Sequence, residues 1–320
     1  MKQEIKSGGW AWLVIVLAGS ITGCTRDPWP LPEVPAGPES AAPAGQGTPH
    51  ASQLDWSYQG ARGPESWAKL DPKWTACGEA GQSPVDLPLD SLAAVGQSST
   101  PEGATDGSKE APPDPMTDPL AFLQGVELIA QFADLPLEAS NDERFLSLAG
   151  AGTQGLSIGD KLAVLQSIEF HLPAEHRLGG TAMDMELVLW LKHPEKGRLA
   201  LSLLFRAGKE NSAMERLIAN LPPSGPYESK LLNAMMPLPA LMNAGSLLAY
   251  VGSESTPPCQ TSIPRLVLAQ VGEVSPEQLG RLIDVVPALS ARPVQPLGDR
   301  KVQILTFTST PLNSSSENRP

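Results

Sequence analysis

The chain has 320 residues and a formal net charge of −12, with 33 prolines and 29 glycines. That length allows one large domain plus appendages. The acidic balance excludes a nucleic-acid binder, which needs a basic face, and otherwise reports solubility.

Residues 1–24 read as an export signal. Lys2 and Lys6 give a positive start, and WAWLVIVLAG supplies an apolar run too short to cross a bilayer in the usual way. The run ends in Ile21-Thr22-Gly23-Cys24, which looks like a bacterial lipobox, where the cysteine thiol receives a diacylglycerol and becomes the mature N-terminus. The plainer alternative is an ordinary signal peptide or short anchor that happens to contain a cysteine. Thr25 rather than Asp follows Cys24, which under the usual Gram-negative sorting rule favours the outer membrane, on its periplasmic or surface side. Residues 25–52 hold seven prolines among Ala, Gly and Glu. Such a composition cannot bury enough surface to fold, so it reads as a disordered, semi-extended tether.

A folded domain is expected over 53–307, with Trp56 and Trp67 as core aromatics. Residues 96–119 are a low-complexity stretch with five acidic side chains against one lysine, read as a disordered insertion. From Leu120 onward, short apolar runs alternate with turns: AFLQGVELIA, ERFLSLAG, LSIGDKLAVL, MELVLWLK and RLALSLLF. They are too short for long helices and predict strands of one antiparallel sheet. Helices are predicted around Ser212–Asn220 and Pro276–Asp284, the second with Ser275 as N-cap, Pro276 at the first helical position and Gln278 placed to close a capping box. Residues 308–320 form a polar tail.

The domain centres on Leu165–Leu191, LQSIEFHLPAEHRLGGTAMDMELVLWL, which reads as two strands joined by a loop. Glu169 and His171 are two apart and so share a face. This stretch resembles the metal-binding hairpin of the α-class carbonic anhydrases, whose pattern is roughly Q-F-H-F-H-x-P-S-E-H followed by E-x-H-L-V-H. The resemblance extends over about residues 53–307. Trp56, Tyr58, Gly63-Pro64, Trp67, Cys77 and Gln82-Ser83-Pro84-Val85-Asp86 fall in family order and spacing. Tyr250-Val-Gly-Ser-Glu-Ser-Thr-Pro-Pro-Cys259 resembles the signature Y-x-G-S-L-T-T-P-P-C, and ARPVQPL at 291–297 resembles R-P-x-Q-P-L. The fold this implies is mainly β (α+β), a large and predominantly antiparallel central sheet with a few short helices. Cys77 and Cys259 occupy the two positions bridged in exported members, and an even pair outside the cytoplasm fits a disulfide better than a metal site.

The resemblance also carries a departure. In the family three histidines from the hairpin hold zinc, which lowers the pKa of a bound water to about 7 so that hydroxide attacks carbon dioxide. Aligned without gaps, the three positions are Glu169, His171 and Val188, and valine cannot bind a metal. The threonine and glutamate that orient the hydroxide correspond to Ser255 and Glu175, so the gate is expected to survive with serine. The apolar wall that receives carbon dioxide does not. Its leucine becomes Glu254, a small residue two past the third ligand becomes Trp190, and the tryptophan downstream of T-T-P-P-C becomes Arg265, with Thr256 completing the pocket positions. The proton-shuttle histidine falls near Arg144. Of the four histidines, His50 lies in the tether, His193 is expected to be exposed, and His176 matches a buried structural histidine.

These features predict a lipid-anchored, catalytically inactive carbonic anhydrase-like protein with no cofactor. It would act as a binding or envelope module with an unidentified protein or small-molecule partner, touching the membrane through its lipid alone. One alternative is a weakly active carbonate dehydratase or esterase whose rebuilt site uses Glu169, His171 and Glu186 to hold zinc or an oxygen-preferring divalent metal. The other is a purely structural envelope lipoprotein.

Overall fold

The computed structural model describes residues 55–89, 118–142, 144, 146–149, 154–221, 227–242, 244–287 and 290–310. The export signal with Cys24, the tether with His50, nearly all of the acidic insertion and residues 311–320 of the tail lie outside the described residues.

The strands are β1 (Asp86–Leu87), β2 (Leu128–Gln131), β3 (Leu135–Asn141), β4 (Leu146–Ala149), β5 (Gly155–Ile158), β6 (Lys161–His171), β7 (Arg177–Leu178), β8 (Thr181–Ala182), β9 (Met185–His193), β10 (Gly197–Ala207), β11 (Tyr227–Met236), β12 (Gly245–Ser253), β13 (Thr261–Leu268), β14 (Gly272–Val274) and β15 (Gln303–Ser309). Twelve of them form one sheet in the order β11-β3-β4-β6-β5-β2-β15-β12-β13-β10-β14, and β9 lies between β6 and β10, pairing with both. Its described pairings are antiparallel except β10 with β13, β10 with β14 and β15 with β2. The mainly β, mostly antiparallel architecture expected from the apolar runs is therefore present. One run behaves differently. Ala121–Leu123 forms a 3-10 turn that buries Leu123, and Gly125, at φ 67, redirects the chain into β2.

Strand alternation splits β9 and β10 between two cores. Leu187, Leu189 and Leu191 pack with Leu199, Leu201 and Leu203 in the main core. Val188, Trp190 and Ala200 face the other way and form a small separate cluster with Ile263. The helix Ser212–Ile218 is held by Asn211, whose side chain accepts from the amides of Ala213 and Met214. The helix Pro276–Ile283 has the expected capping box, with Ser275 and Gln278 exchanging both hydrogen bonds.

The amino-terminal motif is tied to the sheet by a buried polar network. Arg292 donates to Gln82 Oε1 (2.7 Å), to the Ser83 carbonyl (3.0 Å) and to the Cys77 carbonyl (2.8 Å). Ser83 Oγ is 2.8 Å from the Tyr250 hydroxyl and accepts from the Ser253 amide at 3.0 Å. The expected disulfide joins Cys77 to Cys259, 182 residues apart, with Cα atoms separated by 5.0 Å.

Gly252 is what lets this network close. A Cβ there would stand 2.2 Å from Ser83 Oγ and 2.8 Å from the Tyr250 ring. Gly252→Ala should therefore lower stability by about 1–3 kcal/mol through overpacking, read as a drop in the urea midpoint with an unchanged slope.

Candidate functional site

The register of the β6–β9 pair brings the three ligand positions together. Glu169 lies opposite Val188, and His171 opposite Glu186. In the next strand Ser202 lies opposite Val188 and Ala200 opposite Trp190, and Arg265 of β13 is the next residue along that second row. Directly opposed residues share a sheet face, so one face carries Glu169, His171, Val188, Trp190, Ser202 and Arg265.

His171 is fully buried. Its Nδ1 donates to the Ser290 carbonyl at 2.5 Å and lies 3.7 Å from Glu175 Oε1, while Nε2 lies 3.8 Å from Glu169 Oε2 without a hydrogen bond. Burial disfavours the charged ring, but the carboxylates of Glu175, Glu169 and Glu186 outweigh it and push His171 up to about 9. The ring is a buried imidazolium at neutral pH. Glu169 keeps some contact with solvent, its side chain being 14% exposed.

Glu186 has the strand parity to reach the same face, yet its carboxylate is fully engaged elsewhere. Oε1 accepts from His176 Nδ1 at 2.7 Å, and Oε2 accepts from the amides of Glu175 and His176 at 3.0 and 2.9 Å. Burial opposes its charge, but His176 chiefly, with Arg265 and His171, holds its carboxyl far below the usual range. His176 Nε2 is in turn 2.7 Å from the Tyr250 hydroxyl, which places His176 in the core network.

These residues do not fit the zinc that the fold family implies. Nε2 of His171 could ligate a metal only after giving up its proton, and Glu169 is the one other donor beside it. Val188 has none to offer, and Glu186 is committed to His176. Among the described residues no group of three His, Cys, Asp or Glu side chains is arranged to hold a metal. Two protein ligands are fewer than the three that a catalytic zinc site uses.

Trp190 packs with Val188, Ala200 and Ile263. The guanidinium carbons of Arg198 and Arg265 lie 4.2 and 5.2 Å from its ring centroid. Arg198 also forms an ion pair with Glu254, whose other oxygen accepts weakly from the Gln260 amide at 3.4 Å. The wall positions Trp190, Glu254 and Arg265 thus pack into a single charged plug. Arg198 was not singled out in the sequence, although its parity with Ala200, two residues on, places it on this face.

Two sequence expectations change. The gate is not formed: no hydrogen bond joins Ser255 to Glu175, whose Oε1 instead accepts from the Arg292 amide at 3.0 Å while Oε2 has no partner. His193 is buried rather than exposed. Its ring packs edge-on against Phe122 at 5.4 Å, and Nδ1 accepts from the amides of Glu195 and Lys196. Burial pushes its pKa down, which suits a neutral ring accepting at Nδ1. Arg144, at the shuttle position, is bound to Asp142 and stacks on Trp56 at 4.5 Å. Thr256 is half-buried, and its carbonyl accepts from the Cys259 amide at 2.8 Å.

No family model matches the chain. A carbonic anhydrase of Klebsiella pneumoniae is 26% identical over 255 residues, covering 77% of this chain and 89% of that protein. A carbonic anhydrase of a Nostoc species is 28% identical over 259 residues, covering 79% and 86%. The α-carbonic anhydrase of Thermovibrio ammonificans, solved with the inhibitor sulfanilamide, superposes with a TM-score of 0.61 at 26% identity, over 77% of this chain and 97% of that one. The chain is a homologue of the α-carbonic anhydrases. Its fold is theirs.

The raised pKa of His171 makes stability depend on pH with a definite sign. The contribution is fully present below 6.5, the ordinary histidine value, and is lost as pH rises through about 9. The shift corresponds to roughly 3 kcal/mol. Urea unfolding at pH 6 and pH 10 should show this loss in the wild type, and His171→Gln should flatten that part of the profile.

Proposed function

We propose that this chain is an extracytoplasmic carbonic anhydrase-like protein that does not hydrate carbon dioxide, anchored to a bacterial membrane through a lipid on Cys24 and serving as a binding or envelope module. The observation that carries the reading is the pairing of Val188 and Glu169, at the positions the resemblance matches to metal ligands, with Trp190 clustered against Val188. Hydration needs a metal-bound hydroxide and an open apolar wall beside it. Here the donor set is two side chains, and the wall is an indole packed against two arginines. The lipoprotein part of the reading rests on the ITGC motif after the apolar run, and the Cys77–Cys259 disulfide is consistent with an oxidising compartment.

The purified protein should contain well under one zinc per chain and show carbon dioxide hydration at background, measured by elemental analysis and stopped-flow indicator change. Glu169→His with Val188→His should restore zinc binding, since the hairpin that presents both positions is intact. Hydration should stay low in that double variant until Trp190→Val and Glu254→Leu are added, because a filled pocket cannot place carbon dioxide near the hydroxide. Stoichiometric zinc with clear activity in the unaltered chain would overturn the reading.

The anchor has its own test. Mass spectrometry of the mature N-terminus should find a diacylglycerol-modified Cys24, and Cys24→Ser should release a folded domain. An unmodified cysteine, or cleavage elsewhere, would remove the anchor from the proposal.

A further inference from the structure

Arg265 is fully buried, and two of its donors go unused. Nη1 donates to the Ser253 carbonyl at 3.2 Å, while Nε and Nη2 have no partner among the described residues. Those two nitrogens share one edge of the planar guanidinium, and their N–H groups run parallel. That edge is the fork which a carboxylate fills with two hydrogen bonds. Two more buried donors without partners stand on the same sheet face, Trp190 Nε1 and Ser202 Oγ. Trp190 and Arg265 flank Ala200 in one row, and Ser202 follows Ala200 by two along β10. Buried donors in native proteins are nearly always paired, and arginine cannot shed its charge to escape the cost. The acids of this face lie against other cations, Glu254 against Arg198, Glu186 against His176 and Glu169 beside His171.

We propose that the free edge of Arg265 is the receptor of a gated site for a small monocarboxylate, with Trp190 as the gate and the Arg198–Glu254 pair as its latch. The donors are enclosed, so the ligand enters only when the indole moves aside. Ala200 contributes no more than a methyl group between Trp190 and Arg265, so a displaced ring leaves room for a compact planar acid in that row. The latch is the part that solvent reaches, since the Arg198 side chain is 43% exposed. The ligand carboxylate takes Nε and Nη2 of Arg265 side-on, with the Ser202 hydroxyl available as a third donor. Neither the plug nor a charged fork beneath it serves carbon dioxide, so the inference rests on the non-catalytic reading of this face of the sheet.

Acetate is the probe, titrated into the full chain in detergent at constant ionic strength and followed by saturation-transfer NMR on its methyl signal. The wild type should bind acetate. Glu254→Gln should tighten binding by up to about fivefold, the scale of losing a partly exposed ion pair, and Trp190→Ala should tighten it as well. Arg265→Lys keeps the charge without the fork and should weaken binding at least about tenfold. Arg265→Met should abolish it. Absence of acetate binding in both the wild type and Trp190→Ala would overturn the proposal, as would binding that ignores Arg265→Lys. If Arg265→Met fails to fold, the Glu254, Trp190 and Lys variants still decide the matter. Carbon dioxide hydration measured on the same samples keeps the two readings apart. Background hydration without acetate binding defeats only this site, whereas activity in the wild type defeats the non-catalytic reading.

Discussion

The buried bond between His176 and Glu186 is the constraint on which both halves of the structure depend. Glu186 is a fully buried carboxylate, and an unpaired charge there would cost several kcal/mol. It is tolerated because one oxygen takes His176 and the other takes two backbone amides, which fixes the loop after β6 against β9. His176 carries the restraint onward to Tyr250, Tyr250 to Ser83, and Ser83 to Ser253. The chain of bonds thus links the hairpin loop, the amino-terminal Gln82-Ser83 motif and the end of β12, three segments far apart in sequence. Burial pushes the Tyr250 hydroxyl up to about 12, so it stays protonated as a donor at any physiological pH. A network of this kind stabilises only when every member is satisfied, which explains why Gly252 must stay without a side chain beside Ser83.

The same bond decides what the cone can do. A carboxylate held by three donors is not available as a replacement ligand, because turning it toward Val188 would strand His176 and two amides at once. The site's chemistry is therefore set by the residues that remain, Glu169 and His171. The imidazole is the positive member of a carboxylate cluster, with Glu169 and Glu175 within 4 Å. On the wall, Trp190, Arg198, Arg265 and Glu254 replace an apolar surface by stacking and ion pairing, interactions worth most where water is excluded.

Much of this was legible in the sequence because it depends on short-range periodicity. The two-residue spacing of Glu169 and His171, and of Val188 and Trp190, fixes their shared faces once the strands exist. The capping box at Ser275 and Gln278 is local as well, and the order of the motifs carried the fold and the disulfide. What could not be read is the choice among partners brought together by the fold. Parity places Glu186 on the cone face, but the engagement of its oxygens depends on where the loop carrying His176 returns. His193 follows the end of a strand, a position that reads as exposed until Phe122 arrives from the other side of the chain. The Ser255–Glu175 gate fails for a similar reason, since the amide of Arg292, more than a hundred residues away, takes the oxygen. Arg198 lacks a motif altogether, and its place over Trp190 emerges from the β9–β10 register.

The division between what is retained and what is replaced follows the two faces of the hairpin strands. Leu187, Leu189 and Leu191 bury themselves in the main core, where a change of volume would be felt throughout the domain. Val188 and Trp190 contact a small satellite cluster in which Ala200 and Ile263 are the other buried apolar members. Substitutions there can exchange metal ligation for packing without disturbing the sheet, provided the buried charges find partners. Every acid on that face has done so. The charge of Arg265 is shared with Glu186, but its hydrogen-bonding capacity is not used, with one of three guanidinium nitrogens engaged. A plug selected for packing alone would place an apolar residue at that position, because a buried arginine with an empty fork is destabilising compared with a hydrophobic side chain of similar size. Retaining the fork is understandable if something outside the chain fills it.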